Sequence, residues 1–163
     1  MLIRVLADGG LIAVVLISAG VGLYWIMKEK PNLKALFPYV LMAGLTSLLA
    51  AKLISLLPIQ QARPFIEEGV EAGAAFINNP GFPSDHALVA TVVVMAVFVL
   101  TPYKKTAYGL MALTLAMGVA RVLALVHTSL DIIGGIAAGL VGTLWYVKYR
   151  RDYKHKHDTF DVS

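Results

Sequence analysis

Apolar runs of membrane-spanning length recur along this chain, and they leave few architectures open. A helix needs about 20 apolar residues to cross a bilayer. Within hydrocarbon, only helices and closed barrels satisfy every backbone hydrogen bond. Four or five such runs are readable, placed near Leu6–Met27, Ala35–Leu57, Ser84–Leu100, Thr106–Arg121 and Ser129–Val147. Charged residues make up 15% of the chain against 58% hydrophobic ones, where a soluble domain carries roughly 25% charged. The expected fold is all-α: a polytopic transmembrane helix bundle of about five spans, with a short amphipathic helix in an outer loop. At 163 residues it reads as one domain, with no linker, internal repeat or low-complexity tract. The absence of cysteine excludes disulfides, thiolate nucleophiles and zinc–cysteine sites.

The last two runs are joined by the apolar Val122–Val126, which contains neither glycine nor proline. A single helix over Thr106–Val147 would be about 63 Å long, twice the hydrocarbon thickness, so the chain must reverse. Arg121, His127, Thr128 and Ser129 are the polar residues available for that reversal. Thr128 or Ser129 is expected to cap the final helix, with Asp131 in its first turn. With five spans, Lys28, Lys30, Lys34, Lys104, Lys105 and the basic tail 148–163 all fall on one side, which should be cytoplasmic. The amino terminus is then outside and the carboxyl terminus inside. Arg4 and Ser18-Ala19-Gly20 also fit a signal peptide, but that reading places three lysines outside, against the charge rule.

Histidine, arginine and aspartate in membrane-length segments are costly and by default mark a working site. Here they form three blocks: Arg63-Pro64, then Pro83-Ser84-Asp85-His86, then Arg121, His127 and Asp131 at the spacing R-x5-H-x3-D. In the expected topology all of them fall at one membrane face. The spacing resembles the type 2 phosphatidic acid phosphatase (PAP2) superfamily, whose pattern is K-x6-R-P, P-S-G-H and S-R-x5-H-x3-D. The similarity extends from about Lys52 to Asp131. Asp85 stands where the family usually has glycine, as in the undecaprenyl-diphosphatase-like branch.

His127 and Asp131 are one helical turn apart, so the carboxylate can hold one imidazole nitrogen and leave the other free to attack phosphorus. Pro83-Ser84 forms a natural helix start whose free N–H groups suit an anion. From the resemblance, His86 protonates the leaving oxygen. Arg63 and Arg121 offer forked donors for phosphate oxygens. The lysine matches least well. The family spacing falls on Leu56, whereas Lys52 lies one turn earlier, roughly 6 Å deeper, and either reaches back to the phosphate or contacts a neighbouring helix or water.

The resemblance therefore implies a lipid phosphate or diphosphate phosphatase at the outer face of the cytoplasmic membrane. Its phosphate-binding residues would be Arg121, Arg63, Ser84 and Lys52, with no metal and no cofactor. Undecaprenyl diphosphate is the expected substrate; phosphatidic acid, phosphatidylglycerol phosphate and a non-catalytic lipid-binding or transport role are the alternatives. Membrane lipids are expected partners and nucleic acid is not. The small-residue rows Gly135/Gly139 and Gly134/Ala138/Gly142 serve packing within the subunit or a homodimer face. The apolar residues between Pro58 and Pro83, interleaved with Glu67, Glu68 and Glu71, would frame a lipid entrance or cover the core. The His155-Lys156-His157 tail reads as a solvated basic end.

Overall fold

The computed structural model describes residues 1–58 and 62–160, the side chains as far as Tyr153. Six helices follow in order: α1 Leu2–Glu29, α2 Leu33–Ile54, α3 Pro64–Glu67, α4 Asp85–Leu100, α5 Lys104–Leu123 and α6 Ser129–Phe160. No strand occurs among the described residues. Four of the helices, α1, α2, α5 and the Ser129–Tyr153 part of α6, are long and apolar enough to cross a membrane. The fifth expected span is the exception. At 16 residues α4 is about 24 Å long, short of a hydrocarbon thickness of about 30 Å.

That short helix lies at the centre. Its sequence is apolar on every face, which suits a helix surrounded by others. It packs against α1, α2, α5 and α6, while α1 pairs with α5 and α2 with α6. Val14 of α1, Val94 and Val97 of α4, and Leu110 and Met117 of α5 form one buried cluster. The outer helices bury only narrow stripes, such as Ala7, Gly10, Val14 and Ser18 on α1. Leu16 and Leu23 of α1 and Leu41, Leu45 and Leu48 of α2 face outward, as a lipid-solvated helix allows.

Backbone proximity comes from the small residues of α6. A Cβ on Gly135 would strike the Ser84 carbonyl, one on Gly139 would meet Thr91 and the Leu88 carbonyl, and one on Gly142 would strike the Ala43 carbonyl. Gly134 packs in the same way on Phe82 and Pro83. Both rows are thus used inside the chain, seating α6 on α4 and α2.

Two expected boundaries differ. The helix at the carboxyl end does not stop near Val147 but continues to Phe160, because its charged residues are good helix formers and find partners. Arg150 donates to the Val99 carbonyl at 3.0 Å and Asp152 accepts from the Tyr39 hydroxyl at 2.8 Å. Lys104 likewise donates to the Phe98 carbonyl, so basic residues satisfy the orphan carbonyls at the end of α4. The basic-tail side chains of Lys154, His155, Lys156 and His157 lie outside the described residues. In the outer loop the amphipathic helix reduces to the single turn α3, Pro64–Glu67. Its Phe65 packs with Ala7, Ala74, Ala120, Ala124 and Val126, whereas Ile66, Val70 and Ile77 stay exposed.

The close approach of α6 has a measurable consequence. Gly139→Val should cost about 1–3 kcal/mol through overpacking, seen as a lower Tm in detergent. Gly20→Val, on α1 with nothing within 4 Å of a Cβ, should leave the Tm near that of the parent. Equal shifts would contradict the packing described.

Candidate active site

The reversal between α5 and α6 builds half of the site. α5 ends in a Schellman motif in which Val126 N–H donates to the Arg121 carbonyl at 3.2 Å and Leu125 N–H to the Val122 carbonyl at 2.9 Å. Leu125 occupies the left-handed position, φ 59°, where glycine is usual and a branched side chain is strained. Arg121 therefore does not sit in the reversal, as expected, but in the last turn of α5, and the apolar residues make the turn. Outer-loop donors take up its carbonyls: Phe65 N–H binds Leu125, Gly73 N–H binds Ala124, and Arg63 Nη1 binds Val126.

At the start of α6, Thr128 is the capping residue. Its Oγ1 accepts from Asp131 N–H at 3.2 Å, and Asp131 Oδ2 accepts from Thr128 N–H at 2.8 Å, a reciprocal capping box. The same Oδ2 lies 3.2 Å from His127 Nδ1. With Nδ1 protonated and donating to Asp131, Nε2 carries the free lone pair. Nε2 faces Ser84 Oγ at 3.3 Å, and Ser84 in turn caps α4. Ser84 N–H donates to the Asp131 carbonyl at 2.9 Å, so the starts of α4 and α6 are joined through backbone as well as side chain.

Both arginines are buried, Arg121 at 1% exposure and Arg63 at 7%. Among the described residues neither has a carboxylate within ion-pair distance. Backbone carbonyls hold them instead: Ala7 and Ala75 for Arg121, and Val126, Ile77 and Asn79 for Arg63, with Asn79 Oδ1 at 2.8 Å. The Nε of each guanidinium has no hydrogen-bond partner. Desolvation lowers the Arg63 pKa, opposed by Asp131 and Asp85, yet a guanidinium remains charged at any physiological pH.

Arg63, His86, Arg121 and His127 line one small cavity with Ile77, Asn79, Gly81, Pro83 and Asp85. Its volume of about 10 Å³ is close to that of a single water-sized sphere. The residues expected from sequence thus converge from α4, α5, the outer loop and the start of α6, with Ser84 against His127. Lys52 is separate. It is exposed and lines an adjoining groove with Leu48 and Ala51 of α2 and Ser55, which caps the end of that helix.

Three contributors had weak sequence signals. Asn79 holds Arg63 but sits in a loop without a motif. Gly81 lets the chain pass the His127–Asp131 pair, for a Cβ there would lie 3.2 Å from Asp131 Oδ2. Thr128 was one of two capping candidates, and its pairing with Asp131 three residues on is the signal that selects it. No group of three His, Asp or Glu residues placed to hold a metal is found among the described residues.

A family profile for the PAP2 superfamily matches residues 35–154, which includes every residue of the cavity. The chain belongs to the PAP2 superfamily. No curated protein and no solved structure matches it. Membership in PAP2 supports a phosphatase of the lipid phosphate type, set in a membrane by its apolar helices. The site suits that chemistry: an imidazole with Nδ1 against a carboxylate and Nε2 toward Ser84, beside two buried cations and a helix start.

The double role of Asp131 separates in mutants. Thr128→Ala removes only the cap and should cost about 1 kcal/mol of stability with activity kept within a fewfold. Asp131→Asn should lower kcat by about a hundredfold or more, because an amide cannot stabilise the imidazolium as a carboxylate does. Similar kinetic losses in both would show that capping, not charge, is what the carboxylate supplies.

Proposed function

We propose that this PAP2 protein hydrolyses a lipid phosphate or diphosphate, with undecaprenyl diphosphate as the preferred substrate, at the outer face of the cytoplasmic membrane. The observation that carries the reading is the pair of buried guanidiniums, unpaired with any described carboxylate, beside an oriented histidine. Burying two like charges is costly, and an anion arriving between them recovers that cost. The choice of undecaprenyl diphosphate rests on the resemblance of Pro83-Ser84-Asp85-His86 to the P-S-D-H pattern of the undecaprenyl-diphosphatase-like branch.

Binding exchanges backbone carbonyls on Arg63 and Arg121 for phosphoryl oxygens, while Ser84 and the first N–H groups of α4 complete the anion site. His127 Nε2 attacks phosphorus, and the bond from phosphorus to the leaving oxygen breaks with its electron pair on oxygen. His86, on the same cavity wall, delivers a proton to that oxygen. Asp131 balances the imidazolium created at His127. A water molecule, giving its proton to His86, then attacks phosphorus; the phosphorus–nitrogen bond breaks with its electron pair returning to His127 Nε2, and inorganic phosphate is freed. The guanidiniums and the helix start supply the positive field for the equatorial oxygens, so this sequence of steps calls for no metal.

Orientation follows from charge. Lys34 of α2 and Lys104 and Lys105 of α5 lie at the helix ends opposite Lys52 and Arg121, and Lys28 and Lys30 lie at the end of α1 opposite Ala7, which meets Arg121. With that end cytoplasmic, a lone cysteine at Gly69 should react with an impermeant thiol reagent in intact cells and one at Lys105 should not. The reverse labelling would place the site inside.

Phosphate release is the direct test. Purified protein should liberate phosphate from undecaprenyl diphosphate faster than from phosphatidic acid or phosphatidylglycerol phosphate, and EDTA should not slow it. His127→Ala should lose at least about a thousandfold in rate. A tenfold preference for either glycerolipid would overturn the substrate. Inhibition by EDTA reversed by a divalent ion would overturn the mechanism.

A further inference from the structure

Lys52 occupies the last turn of α2, the helix end at which the site lies. Leu48, Ala51, Lys52 and Ser55 follow at intervals of three and four and so share one face. Across from them stand Asn79, Pro80, Phe82, Pro83 and Asp85, enclosing a groove of about 370 Å³. Asn79, Pro83 and Asp85 also line the small cavity of His86, His127 and the arginines. The two spaces therefore share a wall, the groove bearing Lys52 and the cavity bearing Arg63 and Arg121.

Asp85 is exposed on that wall. A single phosphoryl group shared between Lys52 and the arginines would face the Asp85 carboxylate. Two phosphoryl groups, one drawn to the arginines and one to Lys52, keep their charge on either side of it. The one-turn displacement of Lys52 from the family spacing has the same sense, since it moves the ammonium away from the attacked phosphorus. Below the groove, exposed Leu41, Leu45 and Leu48 continue down the same side of α2 and give an apolar tail a course into the bilayer.

We propose that this groove is a second phosphate subsite, in which Lys52 binds the phosphate that remains on the lipid when the terminal phosphoryl group is removed. The proposal rests on the phosphatase reading and deepens it. In a lipid diphosphate, His127 Nε2 forms its bond to the terminal phosphorus as the bond to the bridging oxygen breaks. The electron pair passes to that oxygen, which stays with the retained phosphate, and Lys52 offsets the charge growing there. In phosphatidylglycerol phosphate the retained group is a phosphodiester one glycerol away, and the pair passes to a glycerol oxygen that His86 protonates. Either lipid presents a second phosphate; phosphatidic acid and a prenyl monophosphate do not.

Full-length wild type, Lys52→Gln and Lys52→Arg are compared in detergent on two pairs of substrates. One pair is prenyl diphosphate and prenyl monophosphate of equal tail; the other is phosphatidylglycerol phosphate and phosphatidic acid. Lys52→Gln should lower the ratio of kcat/KM, two-phosphate over one-phosphate lipid, by about tenfold in at least one pair, and Lys52→Arg should restore most of it. The pair that responds identifies the spacing of the second phosphate. Unchanged ratios in both pairs, whether activity falls uniformly or not at all, would overturn the subsite while leaving the phosphatase reading intact. Failure of the wild type to release phosphate from any of the four would instead remove the phosphatase reading, and the subsite with it.

Discussion

Asp131 joins three things that would otherwise be independent. Its carboxylate closes the capping box with Thr128 that starts α6 and takes the Nδ1 side of His127, while its backbone carbonyl receives the N–H of Ser84, the cap of α4. Fixing two helix starts and an imidazole with one residue leaves little freedom in the direction of Nε2. The glycines of α6 make the join feasible, because Gly135 brings the backbone against the Ser84 carbonyl. Helix packing and the orientation of the histidine are thus one constraint seen at two scales.

Around that join the arginines set the electrostatics. Each is held by carbonyls from a different part of the chain: Arg121 by α1 and the outer loop, and Arg63 by the α5–α6 reversal and the residues around Asn79. Carbonyl dipoles offset part of the desolvation cost without neutralising the charge. The outer loop is accordingly more than a cover. It carries Arg63, and it binds the carbonyls of a strained turn at Leu125. Strain of this kind persists only where the surrounding structure over-determines it, and it is common beside working sites.

Much of this was legible in the sequence where local rules operate. The apolar runs located the long helices because bilayer thickness fixes their length. The i, i+4 spacing put Asp131 under His127, and Pro83-Ser84 marked the start of α4. The sequence was silent where the deciding contact is remote. Leu125 occupies a position that glycine would have announced, and the donors from Phe65, Gly73 and Arg63 that support the turn come from a distant part of the chain. Asn79 and Gly81 matter through contacts with Arg63 and Asp131, distant in the chain. The helix beyond Val147 lost its apolar signal yet kept its partners in Val99 and Tyr39. Lys52 showed its offset from the family spacing, but not that its groove shares Asn79, Pro83 and Asp85 with the cavity of the arginines.

The account turns on a covalent bond between His127 and phosphorus. Protein mixed with a lipid diphosphate labelled in its terminal phosphate, and quenched in alkali within one turnover, should carry an acid-labile phosphoramidate. Peptide mapping should place it on His127. Label on His86, or full turnover with no labelled histidine at any quench time, would contradict the central claim.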